Sequence, residues 1–229
     1  MYDTLTRWAR AGIWMLPVYG ALTLVATVSQ QPDPATAFRA WSEYVTTSWF
    51  YASHIGASVL GLALGTLGVI GLGVVLAAGR RPRAALTAVA LHVLGAAVVL
   101  GLFGVAAFVQ PAIGAAFLGG EAAAQGWYDA VFNSARTLVP AATGLLLFSA
   151  ASIVMAWSLA GHPDVPRWLA WLFGVTAPFV GFLGLMVSVL QPVGAALLVV
   201  SGALLAMRLR RQPAGSEPRT PARAGSAAS

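Results

Sequence analysis

Apolar residues run almost unbroken through six stretches of the chain, roughly Ala9–Ser29, Trp49–Ala78, Ala84–Val109, Thr137–Ala160, Trp168–Leu190 and Pro192–Met207. A helix needs about 20 largely apolar residues to cross a hydrocarbon core about 30 Å thick. The sixth stretch is the shortest and follows the fifth directly across Gln191-Pro192. The pattern predicts an all-α fold, a polytopic membrane helical bundle of six transmembrane helices. Residues 1–207 form its transmembrane domain. Residues 208–229 are dominated by Pro, Ala, Ser, Gly and Arg, cannot bury apolar surface, and read as a disordered basic tail. Arg7 and Arg10 precede the first stretch as in a signal peptide, but no small-x-small cleavage site follows, so it reads as a signal anchor.

Two of the intervening polar segments carry a helical pattern of their own. Asp33-Pro34 is a helix-start signal, since Asp caps and Pro suits the first helical position. Phe38, Trp41 and Val45 then recur at helical spacing, and Arg39 and Glu43 are four apart and able to pair. A second short helix is expected from Glu121 to Asn133. Both are expected to lie in the outer interface, anchored by Trp41, Trp49, Trp127 and Tyr128, whose rings are apolar and whose tips are polar.

These segments resemble each other. Trp41, Glu43, Val45 and Ser48 match Trp127, Asp129, Val131 and Ser134 at an offset of 86 residues. Gln31-Pro32, Gln110-Pro111 and Gln191-Pro192 each read as closing an odd-numbered span, and Gly79–Arg83 resembles Gly161–Arg167 on the inner side. Two readings stand: a helical hairpin repeated in parallel orientation, or helix-ending signals that suit any interface.

Composition narrows the function classes. The chain is 59% hydrophobic and 9% charged, against about 25% charged in soluble domains, so it cannot cover a soluble surface. Cysteine is absent, which removes disulfides, thiolate metal sites and thiol nucleophiles. All 13 basic residues are Arg, a usage that points to a GC-rich bacterial genome, and the net charge is +6. Eleven of these Arg fall on one side of the predicted spans and only Arg39 and Arg136 on the other. Basic residues stay cytoplasmic, so both termini are expected inside a bacterial plasma membrane. The charge is therefore a topology signal, and no nucleic-acid partner is expected. Arg208, Arg210 and Arg211 are expected to meet anionic headgroups of the lipid bilayer, at about 1 kcal/mol each.

No Asp, Glu, Lys or Arg lies well inside any predicted span, which argues against proton- or ion-coupled carriers. Paired intramembrane aspartates, an HExxH zinc motif and a phosphate-binding glycine loop are all missing from the sequence. No catalytic residue, metal ligand set or cofactor is assigned. His54 and His92 are the candidate cofactor-binding residues, and haem ligation is the sharp reading. His54 should lie about 5–8 Å below the outer boundary and His92 about 13 Å from the inner end, near the midplane. By the same rise per residue, that separates them by about 10 Å in depth. Interhelical hydrogen bonding is the plainer role for both. His162 falls in an inner loop.

Ser53, Ala57, Gly61 and Gly65 are spaced by four and form a small-residue stripe on the second span. Such stripes let helix backbones approach closely. The stripe reads as a seam with the first or third span, or as the face of a homo-oligomer or a membrane partner subunit. Pro17, Pro140 and Pro178 interrupt the first, fourth and fifth spans and are expected to kink them. Kinks near Tyr19, Thr143, Ser149 and Thr176 would open a weakly polar central cavity.

Ser53–Gly61 (SHIGASVLG) and Phe103–Gly114 (FGVAAFVQPAIG) resemble stretches of uncharacterised six-span bacterial integral membrane proteins. The resemblance covers spans one to five and rests on Gly/Ala-rich helix faces and the Gln-Pro ends. It implies a plasma-membrane location, no assigned reaction and no catalytic residue. Three functions follow as expectations. The first is a non-enzymatic accessory or scaffolding membrane component, the second a small permease or exporter for an apolar or amphipathic solute, and the third a haem-binding redox subunit.

Overall fold

The computed structural model describes residues 2–28 and 31–210. Ser29 and residues 211–229, Arg211 among them, lie outside the described residues; residues 208–210, predicted as the start of a disordered tail, instead continue α12 to Arg210. Among those described the protein is an all-α helical membrane bundle: α1 (Tyr2–Gly12), α2 (Met15–Val28), α3 (Phe38–Val45), α4 (Ser48–Tyr51), a π-helical segment (Ala52–Leu60), α5 (Gly61–Ala77), α6 (Pro82–Leu118), α7 (Ala124–Phe132), α8 (Ala135–Leu159), α9 (Arg167–Gly174), α10 (Thr176–Val180), α11 (Phe182–Met186) and α12 (Leu190–Arg210). Five helical segments are long and apolar enough to cross a membrane: Thr4–Val28, Ser48–Ala77, Pro82–Leu118, Ala135–Leu159 and Leu190–Arg210.

The fifth predicted span, Trp168–Leu190, is a correction to the six-helix expectation: it is not one helix but α9, α10 and α11 in series. Pro178 has no N–H for the carbonyl of Gly174, four residues back. The hydroxyl of Ser152 on α8 donates to that carbonyl at 2.7 Å, so the broken hydrogen bond is replaced by a tertiary one. The broken segment still runs the length of α12. Arg208 donates to the Asp164 carbonyl at 3.5 Å at one end, and Gly194 lies against Thr176, Phe179 and Val180 towards the other.

Pro17 breaks the first span four residues upstream, at Ile13 and Trp14, where the freed Ile13 carbonyl accepts from Leu16 N–H at 3.0 Å. Pro140 does not break its helix; α8 continues through it. Gln110-Pro111 does not close the third span either. α6 runs on to Leu118, a length of about 55 Å. Its extension is held by tertiary packing: Gly114 sits against Ser42 and Val45 of α3, where a Cβ would fall 2.7 Å from Val45 Cγ2. The three Gln-Pro pairs thus occupy a loop, a helix interior and a helix start.

Each crossing segment packs on its chain neighbour, and α12 closes the ring against α2. Glycine sets the close seams. Gly61 and Gly65 face Tyr19 and Leu22 of α2, Gly20 faces Ala195 and Val199 of α12, and Gly95 faces Gly144 and Phe148 of α8. The Gly61–Gly65 part of the predicted stripe is therefore an intramolecular seam with the first span, while Ser53 at its other end lines a cavity.

The two ends of the bundle differ. Arg80, Arg81, Arg83, Arg167, Arg208 and Arg210 sit on the turns and helix ends of the basic end. There Arg81 lies over the Trp157 ring, 4.6 Å from its centroid, and donates to the Trp157 carbonyl. At the opposite end, α3 and α7 form a cap with its own core of Phe38, Trp41, Val45, Phe50, Ile113 and Ala124. Asp33 does not start α3. Its carboxylate accepts from Ala35 N–H at 2.9 Å and organises a preceding turn, and the helix begins at Phe38.

Candidate functional site

A cavity of about 690 Å³ occupies the cap-end half of the ring. α2 supplies Tyr19, Thr23 and Thr27, and Gln31 follows just beyond it; the π-helical segment supplies Ser53, His54 and Ser58. Tyr44 of α3 and Phe103 of α6 form further walls, and Val180, Ser188, Val189 and Gln191 close the remaining side. Among the described residues, no Asp, Glu, Lys or Arg lines it. Its size falls in the ordinary range for small-molecule sites.

The backbone is irregular on two sides of this cavity. In the π-helical segment the Ser58 hydroxyl reaches the Ser53 carbonyl, five residues back, at 3.4 Å. Such segments recur at functional sites because they re-aim side chains. On the opposite wall, Val187 is extended between α11 and α12. Irregular backbone at membrane depth is tolerated where it lines a water-filled space. The Gln191 amide and the Ser188 hydroxyl are not engaged by any described residue, while Gln31 Nε2 donates to Gln110 Oε1 at 3.2 Å. The Gly20–Val199 and Gly202–Pro17 contacts set Val28 level with Gln191. Tyr19 lies nine residues below Val28, so the vestibule descends about 13 Å.

Tyr19 and Val180 form the floor, and both also line a second, smaller void of about 30 Å³ at the ring centre. Three of the polar groups around that void are paired within the protein. His92 Nε2 lies 3.3 Å from Thr66 Oγ1, Ser152 donates to Gly174, and Thr176 donates to the Phe173 carbonyl at 2.7 Å. The void therefore presents Leu16, Val69, Phe148, Met155 and Leu198 to any occupant. Beyond it, Leu72, Leu76, Leu159, Leu169, Leu205 and Leu209 are buried and fill the basic-end half.

The sequence candidates divide between these places. Tyr19 and Thr176 do line a central cavity, whereas Thr143 is exposed on α8. His54 stacks on Phe50 with ring centroids 3.9 Å apart and faces the vestibule. His92 packs on Phe148 and faces the void. Because His92 pairs with Thr66, twelve residues from His54, the two imidazoles are separated by roughly 18 Å along the helix. The structure does not bring them to one iron. Trp49 and Trp127 are about half exposed, as lipid-facing anchors would be. Trp41 is a correction: it is fully buried and meets Tyr128 edge-on at 4.9 Å, so both serve the cap core rather than the membrane interface. Burial, with Asp129 and Asp33 nearby, pushes the Tyr128 hydroxyl above its usual pKa. At the basic end, burial pushes the His162 imidazole below its ordinary range, against the opposing pull of Asp164.

The residues that sequence reasoning missed are Thr23, Thr27, Gln31, Ser58 and Gln191. The recurrence of Thr23, Thr27 and Gln31 every four positions was the available signal. No known protein family, curated protein or solved structure matches the chain.

Proposed function

We propose that this membrane protein binds a small uncharged solute in the vestibule, as a permease-like component of a bacterial plasma membrane with its basic end cytoplasmic. The cavity carries the reading: it is roomy, lined with hydroxyl and amide groups, and free of formal charge among the described residues. An ionic ligand would leave water without a counter-charge, at a cost of several kcal/mol. The role is non-enzymatic, since binding and passage need no catalytic set.

The leucine-filled basic-end half favours a second reading in which the solute is bound and not passed, as in an accessory or sensory subunit. Both are tested together in lipid nanodiscs and proteoliposomes. A panel of neutral and charged small solutes is screened for saturable thermal stabilisation, with Ser58→Trp as the variant that fills the vestibule. Neutral solutes should stabilise the parent and not the variant. Uptake into proteoliposomes then separates permease from accessory subunit. Stabilisation by charged solutes alone, or equally in Ser58→Trp, would overturn the proposal.

A further inference from the structure

The vestibule and the central void share Tyr19 and Val180 as a common wall, and their linings differ: the vestibule mixes hydroxyl, amide and imidazole groups with apolar side chains, whereas the void is almost wholly apolar. Above the wall lie the unengaged Gln191 amide and Ser188 hydroxyl. Below it His92 Nε2, the Ser152 hydroxyl and the Thr176 hydroxyl are engaged by protein partners, and the surface is mostly apolar. The Tyr19 ring rests in the notch left by Gly61 and Gly65. Thr23, four residues on along α2, lines the vestibule side of that wall.

From this juxtaposition we infer the ligand class: a neutral single-chain amphiphile, with a hydroxyl- or amide-bearing head in the vestibule and a short alkyl end directed past Tyr19 into the void. The inference rests on the vestibule being a solute site. Two features set the selectivity. The head must be uncharged, because no carboxylate, ammonium or guanidinium group lines the vestibule among the described residues. The alkyl end must be short, because the void holds only about 30 Å³ before buried leucines begin. Tyr19 is then the residue that sets the length limit from above, and Met155 one that sets it from below.

The test uses the full chain in phosphatidylcholine nanodiscs and a series of 1-O-alkylglycerols from ethyl to decyl, with glycerol as the bare head. Affinity is read from ligand-dependent thermal shifts and corrected for partition into empty nanodiscs. Each methylene that enters the apolar subsite should tighten binding about fourfold, until the series reaches a plateau after a few carbons. Tyr19→Ala should move that plateau outward by two or more methylenes. Met155→Ala should move it similarly from the far side, which keeps the test valid if Tyr19→Ala does not fold. An alkyl phosphate of the best chain length should bind at least tenfold more weakly. Equal binding of glycerol and every ether would overturn the amphiphile inference and leave the vestibule reading standing. Affinity that climbs without a plateau and identically in all variants would show membrane partition only, and would overturn it too. Absence of any saturable shift, by these or the neutral solutes above, would sink both.

Discussion

Gly65 has no room for a methyl group. A Cβ built there would lie 2.4 Å from Tyr19 Cδ1 and 2.7 Å from Cγ. Carbon atoms in contact prefer about 3.5–4.0 Å, so the ring must retreat by about 1 Å. Those are atoms near the root of the side chain, and a χ rotation cannot clear them without leaving the notch. Overpacking of this kind costs about 1–3 kcal/mol, offset by about 1 kcal/mol from the better helix propensity of Ala. Gly65→Ala should therefore destabilise by up to about 2 kcal/mol. At Gly101 and Gly104 on α6, a Cβ would have no heavy atom within 4 Å. Ala at either position should be neutral or stabilising by up to about 1 kcal/mol. The decisive measurement is a double-mutant cycle with Tyr19→Ala, followed by equilibrium unfolding in mixed micelles. Removing the ring should abolish the penalty at Gly65, giving a coupling energy of about 1–3 kcal/mol. A coupling below about 0.5 kcal/mol would refute the notch, and with it the role of the stripe as the seat of Tyr19.

Ser152→Ala leaves the Gly174 carbonyl opposite Pro178 buried without a donor and should cost about 1–3 kcal/mol; Pro178→Ala in the same background restores an N–H and should recover part of the loss in the same unfolding assay. Trp41→Ala empties the centre of the cap and should cost about 3–5 kcal/mol locally, read as faster proteolysis between residues 31 and 48 with the crossing helices still protected. Burial lowers the His162 pKa in the folded protein, so below about pH 6.5 the unfolded chain takes up the proton more readily. His162 stability is thus present above that pH and is lost as pH falls towards the folded value; His162→Asn should flatten that part of the pH–stability curve, and an unchanged curve would remove His162 as its source.

Much of the bundle was legible because hydropathy over 20 or more residues is a strong signal: the second and fourth spans fall within two residues of their predicted ends. Proline misleads in two ways. Pro111 has the character of a stop, yet α3 packs on the residues beyond it and carries the helix to Leu118. At Pro178 a kink is expected rather than a break, and nothing local to it names Ser152 as the replacement donor. The stripe on the second span announces a close contact without naming α2 as the contacting helix, since spacing says how near a neighbour comes and not which it is. The vestibule was hidden for a different reason. Its polar residues are single hydroxyls and amides scattered over several elements, and only the ring closure gathers them. The π-helical register of Ala52–Leu60 has no composition of its own and is visible only in the backbone.

The closure of the ring by its last crossing helix has a consequence for biosynthesis. Roughly 180 residues separate the end of α2 from the end of α12, which at about 5–20 residues per second is on the order of 10–35 s of translation. Throughout that interval the Gly20 face of α2 has no resident partner, and the vestibule lacks the wall that begins at Leu190. The nascent protein is an open arc in the bilayer, with its future vestibule facing lipid. Whatever inserts this chain must keep that arc from pairing with the exposed helices of other newly made proteins until α12 arrives. Chains stalled or cleaved before Leu190 should be the species that membrane quality control removes.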